Sequence, residues 1–401
     1  MHCIGVRVCG PRAPPDALQD GHRACDPDAD IPRRSRLKTD TSRTRCVSRR
    51  SRLAPVRTQR DRVRGRDPVA PPPYTRRPTS RRAPPPMLID TRRRRLLQAG
   101  TLAALASALP GFARMPALDA NTTAEEATAG LDLRGRTIVV TGCTSGIGQE
   151  TMRVLALRGA HVIGTARSRA SGEAACNAVK GRATPVVLDL ADFDTVVTAS
   201  TAIRALDVPV DALVCNAGVV LDGLEQVRGL EKTFVVNHLG HYLLVRRLLD
   251  RVIAAPQGRV IVLGSGDARN APPGGIQFAD LSGASWEARY AHSKLANGLF
   301  SLELSRRLAT TRATSNCVSP GHTRSHILRN VGNRYRSDAR SVQQGAATPC
   351  WLAAAPAAAG FNGGFYRDFA PAEQSTLERD TAMAARLWTV SESLVRDWLP
   401  A

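Results

Sequence analysis

The stretch "RTIVVTGCTSGIGQETMRVLALRGAHVIGTAR", residues 136–167, decides the fold. It opens on a short β-branched run, "RTIVVTG", with no polar alternation, which suits a strand covered on both faces. It then turns through Gly142, Gly146 and Gly148 in a G-x-x-x-G-x-G spacing, enters a helical pattern in "GIGQETMRVLALRGA", and returns to a strand in "HVIGTAR". Strand, turn, helix and strand make one βαβ unit. Glycines in such a turn let the backbone approach a pyrophosphate, whose charge then sits at the helix N-terminus. Any tight strand-to-helix turn favours glycine for packing alone. The strand-turn-helix context is what raises nucleotide binding above that plainer role.

The alternation continues downstream. "SGEAACNAVKG" reads as a helix and "TPVVLDLAD" as a strand, followed by "DTVVTASTAIRALD" and "DALVCNAG" in the same order. "EKTFVVNHLGHYLLVRRLLDRVIAA" reads as one long helix and "GRVIVLGSG" as the fifth strand. Short strands alternating with helices of this length imply an α/β fold with a parallel sheet and helices on both faces. No Pro-rich linker divides residues 132–398, so a single Rossmann-type doubly wound domain is expected there.

Candidate ligand residues collect at the carboxyl ends of these strands, where such sheets bind ligands. After the second strand, in "GTARSRA", Arg167 occupies the place where a dinucleotide enzyme selective for NAD commonly has an acid. A guanidinium there pairs with a 2′-phosphate, so NADP is expected ahead of NAD. The rival is a solvated surface arginine, in a chain with 52 Arg and only four Lys. Asp189 ends the third strand and can accept from an adenine amino group. Asn216, Ala217 and Gly218 follow the fourth and let the backbone pass an adenosine ribose.

The net charge of +21 is uneven: residues 1–120 carry 26 Lys+Arg against 10 Asp+Glu. Residues 1–86 hold 20 Arg, 14 Pro, no Glu and one aromatic residue, Tyr74. A segment with so little apolar surface cannot offset its ordering entropy, and disorder is expected. A nucleic-acid-binding arm is one reading of it. The plainer one is that the working protein starts at Met87 and these residues lie outside it, with no nucleic-acid role for the folded domain. Residues 87–120 form a signal-like segment in which Arg93-Arg94-Arg95-Leu96-Leu97 resembles the core of a twin-arginine export signal. Export to a periplasm follows from that resemblance, and a cytoplasmic location is the alternative, because a periplasm offers no evident way to recycle a nucleotide. Pro110 and the dominance of alanine make the run a poor membrane span. Five of the nine cysteines lie beyond the leader, scattered and without metal-ligand spacing, so neither a disulfide framework nor a metal is expected.

The motifs "TGCTSGIG", "VVNHLGHYLL", "YAHSKLANGLF" and "ARLWTVSESLV" carry a resemblance to the short-chain dehydrogenase/reductase family over about Arg134 to Val395, closest to its retinol dehydrogenase and WW-domain oxidoreductase branch. The resemblance implies an NAD(P)-dependent oxidoreductase that transfers a hydride between nicotinamide and a small-molecule carbonyl or alcohol, with a homo-oligomer left open. It implies Tyr290 as general acid/base, Lys294 as the charge that lowers the tyrosine pKa, Ser265 as the hydroxyl holding the substrate oxygen, and Asn237 as the helix asparagine whose kink holds a water linking Lys294 to solvent. A mid-helix asparagine satisfied by packing is the plainer reading of Asn237. The implied dinucleotide contacts are Thr141, Gly142, Ser145, Gly146, Ile147, Gly148, Arg167, Asp189, Leu190, Asn216, Ala217, Gly218, Tyr290, Lys294, Pro320, Gly321 and Ser325. Gly264 stands where the branch more often has a second serine, and Ser325 where it usually has a threonine. His292 and His322 are expected to be pocket or surface residues. Residues 324–345 are where the family covers its substrate. A nucleotide sensor without turnover is the rival function, opposed by the intact Ser, Tyr, Lys and Asn.

Overall fold

In the computed structural model, which describes residues 117–280, 285–332 and 335–400, the opening run forms strand β1 (Thr137–Val140) at the middle of an eight-stranded sheet. The Arg/Pro-rich leader and residues 87–116 of the signal-like segment lie outside the described residues. Strands β2 (His161–Ala166), β3 (Arg182–Val187), β4 (Ala212–Cys215), β5 (Arg259–Leu263), β6 (Thr314–Val318), β7 (Phe365–Arg367) and β8 (Ala370–Pro371) complete the sheet. Their order is β8-β7-β6-β5-β4-β1-β2-β3. Every neighbouring pair is parallel except the terminal hairpin β7–β8. The chain reverses direction across the sheet between β1 and β4, which opens a crevice at their carboxyl ends.

Side-chain alternation in β1 divides the core. Val139 joins a cluster with Leu213, Leu244 and Leu295, whereas Ile138 and Val140 join one with Met152, Leu155 and Leu352 on the opposite face. Because both faces are covered, β1, β4, β5 and β6 are buried at every residue, and the first three read as largely apolar runs, whereas β6 buries the polar side chains of Thr314, Ser315 and Asn316.

Helix α1 (Gly146–Leu157) leaves β1 and stops at Gly159. There the Gly159 N–H reaches Ala156 O and the Ala160 N–H reaches Leu155 O, a paired closure that needs the positive φ of +97° found at this glycine. Helix α2 (Arg169–Asn177) precedes β3 and α3 (Phe193–Arg204) precedes β4. The third strand lies earlier than its apolar run suggests. It ends at Val187, while Leu188 and Leu190 remain buried beyond it and Asp189 turns the chain by accepting from Ala191 N. Leu188 N still donates to Ala166 O of β2 at 2.8 Å, and buried Leu190 carries the apolar signal past that last bond.

The long helix after β4 is not uniform. Glu231 caps a short helical turn, Lys232–Phe234, with both carboxylate oxygens. A π-turn, Val235–Leu239, follows and runs into α4 (Gly240–Ala254). At Gly240 an added Cβ would lie 2.4 Å from Leu190 O, so glycine lets this helix touch the loop after β3. Helices α5 (Trp286–Arg307), α6 (Ala347–Ala354) and α7 (Thr381–Leu394) complete the layers. Buried Arg259 donates to Leu352 O and Ala355 O, satisfying carbonyls at the end of α6. Among the described residues no helix is long and apolar enough to cross a membrane.

Candidate active site

The carboxyl ends of the strands enclose a cavity of about 650 Å³. One end is shaped by backbone. Gly142 and Gly146 have φ of +72° and +60°, and a Cβ on Gly148 would lie 2.3 Å from both Gly142 O and Asn216 Nδ2. Ser145 flanks α1 in an extended conformation without capping its amides, so those N–H groups are left for an external acceptor. A turn that excludes any Cβ, beside an uncapped helix start, fits a dinucleotide pyrophosphate. Ile147, Arg167, Leu190, Ala217 and Gly218 line the same cavity, as do Asp189 and Asn216. Asn216 is held by its Nδ2, which donates to Thr141 O at 2.7 Å. Ser325 packs over the turn, 3.3 Å from where a Cβ of Gly146 would be.

The other end is made of side chains. Ser285 caps α5 by accepting from Ala288 N, and the helix carries Tyr290 and Lys294 into the cavity. Lys294 Nζ donates to Leu263 O at 2.9 Å and lies 5.5 Å from the Tyr290 ring centre. Asn297 donates to the same carbonyl at 3.0 Å, so the end of β5 anchors two consecutive turns of α5. Ser265 follows β5, caps a short turn by accepting from Asp267 N, and donates to the Asp267 carboxylate at 3.2 Å. Pro320 and Gly321, after β6, form the far wall.

Burial governs the electrostatics here. It pushes the Tyr290 phenol above its usual range, reinforced by the Asp267 charge and opposed by the Ser265 hydroxyl. It draws Lys294 down to about 8.

Two of the expected residues do not face the cavity. Thr141 and Asn237 are fully buried behind its walls. Thr141 Oγ1 accepts from the amides of Asn216 and Ala217, both at 2.9 Å, so it supports the crevice rather than lining it. Asn237 sits within the π-turn. Its Oδ1 accepts from Val219 N, and its Nδ2 donates to Val219 O and Ser293 Oγ. His292 is a core residue and not a pocket one: its Nε2 accepts from Gln277 N and its ring stacks on Phe234. His322 does line the cavity.

Several cavity residues escaped sequence reasoning, among them Lys232, Asp267, Trp286 and Arg367, while His326 and Tyr335 come from the segment 324–345 expected to cover the substrate. Asp267 carried a signal, standing two residues after Ser265. The others come from segments without a motif. The cavity also explains Gly264: a Cβ there would lie 2.6 Å from Cys317 Sγ and 3.1 Å from the Phe365 ring, so larger neighbours fill the space a serine would need.

A family model described as short chain dehydrogenase matches residues 136–336. The chain belongs to the short chain dehydrogenase family. As a member it is an NAD(P)-dependent oxidoreductase acting on CH–OH and C=O groups. The human WW domain-containing oxidoreductase is 38% identical over 302 residues, covering 70% of this chain and 73% of that protein. Mouse retinol dehydrogenase 12 is 34% identical over 283 residues, covering 67% of this chain and 89% of that one. Among solved structures, an uncharacterized protein from Mycobacterium paratuberculosis is similar at 30% identity with a TM-score of 0.58, covering 69% of this chain and 98% of that one.

Proposed function

We propose that this short chain dehydrogenase interconverts a small-molecule carbonyl and its alcohol through Tyr290, Lys294, Ser265 and Asn237, with NADP preferred. The observation that carries the reading is the meeting of Tyr290, Lys294 and Ser265 at one end of the cavity whose other end is the glycine turn. Arg167 lines the edge after β2, where "TARSRA" offers no carboxylate to repel a 2′-phosphate.

The bound dinucleotide supplies a nicotinamide that gives or takes the hydride. The protein's residues do the rest. Ser265 turns its hydroxyl from Asp267 to the substrate oxygen and holds it beside Tyr290. Tyr290 passes a proton to or from that oxygen. Because burial raises the phenol, its deprotonated form depends on nearby positive charge, which Lys294 contributes from its anchored place under the ring. A compact ammonium fits that place, whereas a guanidinium spreads charge over a wider plane. Asn237 in its π-turn marks where the relay from Lys294 leaves the site. Residues Ser325 to Arg329 and Tyr335 close over the substrate end.

The test is NADPH consumption by the full chain over a panel of carbonyls, beside Tyr290→Phe and with NADH for comparison. The expected result is turnover with NADPH that Tyr290→Phe lowers by about 1000-fold. A chain that binds NADPH yet neither reduces any carbonyl nor oxidises any alcohol would sink the reading, and equal rates for the two proteins would remove Tyr290 from it.

A further inference from the structure

Behind the cavity, His241 of α4 is buried at 1% exposure and uses both ring nitrogens. Nδ1 lies 3.1 Å from Asn237 O, one turn earlier, and Nε2 lies 2.9 Å from Thr141 Oγ1. The partners settle the proton's place. A carbonyl only accepts, so Nδ1 carries the hydrogen. Burial holds the imidazole neutral, with its pKa drawn down to about 4, so Nε2 is an acceptor and Thr141 must donate to it. With its proton committed to His241, the Thr141 oxygen turns its lone pairs to the amides of Asn216 and Ala217. The other acceptor near that hydroxyl, Val214 O, is farther off at 3.4 Å.

The line continues past Asn237. Its side chain donates to Ser293 Oγ at 3.0 Å, and Ser293 Oγ donates to Tyr290 O at 2.8 Å. Hydrogen bonds thus link the dinucleotide crevice, through Thr141 and His241, to the backbone of Asn237, and the side chain of the same Asn237 continues through Ser293 to the turn of α5 that bears Tyr290.

We propose that His241 is a positioning residue that couples dinucleotide seating to catalytic geometry, its Nε2 serving the crevice through Thr141 and its Nδ1 serving the tyrosine through Asn237. The catalytic half of this inference rests on the proposed roles of Tyr290, Lys294 and Asn237; the crevice half does not. A residue that merely filled space would not distinguish its two nitrogens.

Two conservative variants separate them. In His241→Asn the side-chain amide nitrogen falls where Nδ1 was, keeping the bond to Asn237 O and losing Thr141. In His241→Gln the amide oxygen reaches the place of Nε2, keeping Thr141 and losing the donor to Asn237 O. Dissociation constants for NADPH are read from nucleotide fluorescence, and kcat is read at saturating NADPH. His241→Asn is expected to weaken NADPH binding about tenfold while kcat stays within about threefold, and His241→Gln to do the reverse, as befits one buried polar group left unpaired. Parallel losses in both variants, or no loss in either, would overturn the coupling. If neither variant shows a folded melting transition, Thr141→Ser and Thr141→Val decide: the serine keeps the hydroxyl and should bind NADPH within about threefold, and the valine should lose about tenfold. Equal affinities for those two would overturn it as well. A wild-type chain that binds NADPH without turnover defeats the proposed function, whereas unchanged NADPH affinity in a folded His241→Asn defeats this inference whatever the turnover.

Discussion

At the dinucleotide end of the cavity the working surface is backbone: the turn from Gly142 to Gly148, the open amides of α1, and the peptide groups of Asn216 and Ala217 held by Thr141. At the proposed catalytic end it is side chains, with Tyr290, Lys294 and Ser265 carried by one helix and one strand end. The first end fails when atoms are added, because the close approach it depends on has no room. The second fails when a particular group is removed or reshaped, since its volume matters less than its charge and proton.

The largest effect expected from this contrast is at Gly148. In Gly148→Ala the new methyl meets Gly142 O and Asn216 Nδ2 at 2.3 Å, so the turn must open. NADPH affinity should fall about 100-fold by equilibrium titration, with a stability loss of about 1–3 kcal/mol in denaturant melts. Unaltered affinity would show that the turn is not what grips the dinucleotide. Next comes Lys294→Arg, which keeps the charge and changes its shape; kcat should drop about 30-fold while NADPH affinity holds within a few-fold. An arginine enzyme of normal kcat would mean that charge alone suffices at the catalytic end. Arg167→Asp is smaller still. Affinity for NADPH should fall about tenfold and that for NADH should not, since one charge-assisted contact is exchanged for a repulsion. Parallel changes for both nucleotides would return Arg167 to the role of a solvated surface residue.

The smallest effect concerns pH. His238, His241 and His292 are buried, and burial lowers their pKa values from 6.5 to about 3, 4 and 4. Between pH 6.5 and 4 the unfolded chain therefore binds protons that the folded chain refuses, and stability falls as pH drops through that window. Above pH 7 these groups contribute no slope. Melting temperatures measured from pH 7.5 to 4.5 should decline only on the acid side. All three histidines lie on the π-turn, α4 or α5, so His238→Gln, which also keeps a polar partner for Ser391 Oγ, should flatten part of the decline.

Much of this was readable in the amino acids because the central strands are buried on both faces and the glycine turn must be glycine. The β1–α1–β2 unit, the strand ends and the helix bearing Tyr290 follow from those two facts. Other features left no such trace. The β7–β8 hairpin turns on Asp368 and Phe369, whose φ values of 52° and 64° are those that Asn-Gly usually announces, and here Asp368 is instead tied to Arg340. The π-turn around Asn237 keeps the apolar spacing of an ordinary helix, so nothing but the family resemblance, which implied a kink at that asparagine, announced it. Third-strand residues beyond Leu188, whose N–H is the last to bond β2, looked like strand because Leu190 is buried, and burial alone does not report hydrogen bonding. His241 sat inside a quoted motif with no role, because its partners are 4 and 100 residues away in sequence.

The wall over the substrate end has one further property. Thr323 and Arg340 pair as an isolated bridge, with Arg324 N donating to Arg340 O and Arg340 N donating to His322 O, so the two ends of the intervening segment meet at one junction, while Asn330 Nδ2 donates to Val220 O and ties it to the loop after β4. The guanidinium of Arg340 is pinned to Asp368 beneath that junction. Loop residues of this kind tolerate changes in length and composition better than the strands and helices they join. The fold thus hangs much of this wall from one junction: grafting a relative's residues 328–339, with Ser325 to Ile327 kept over the glycine turn and Gly218, should redirect which carbonyl is accepted and leave the NADPH dissociation constant where it was.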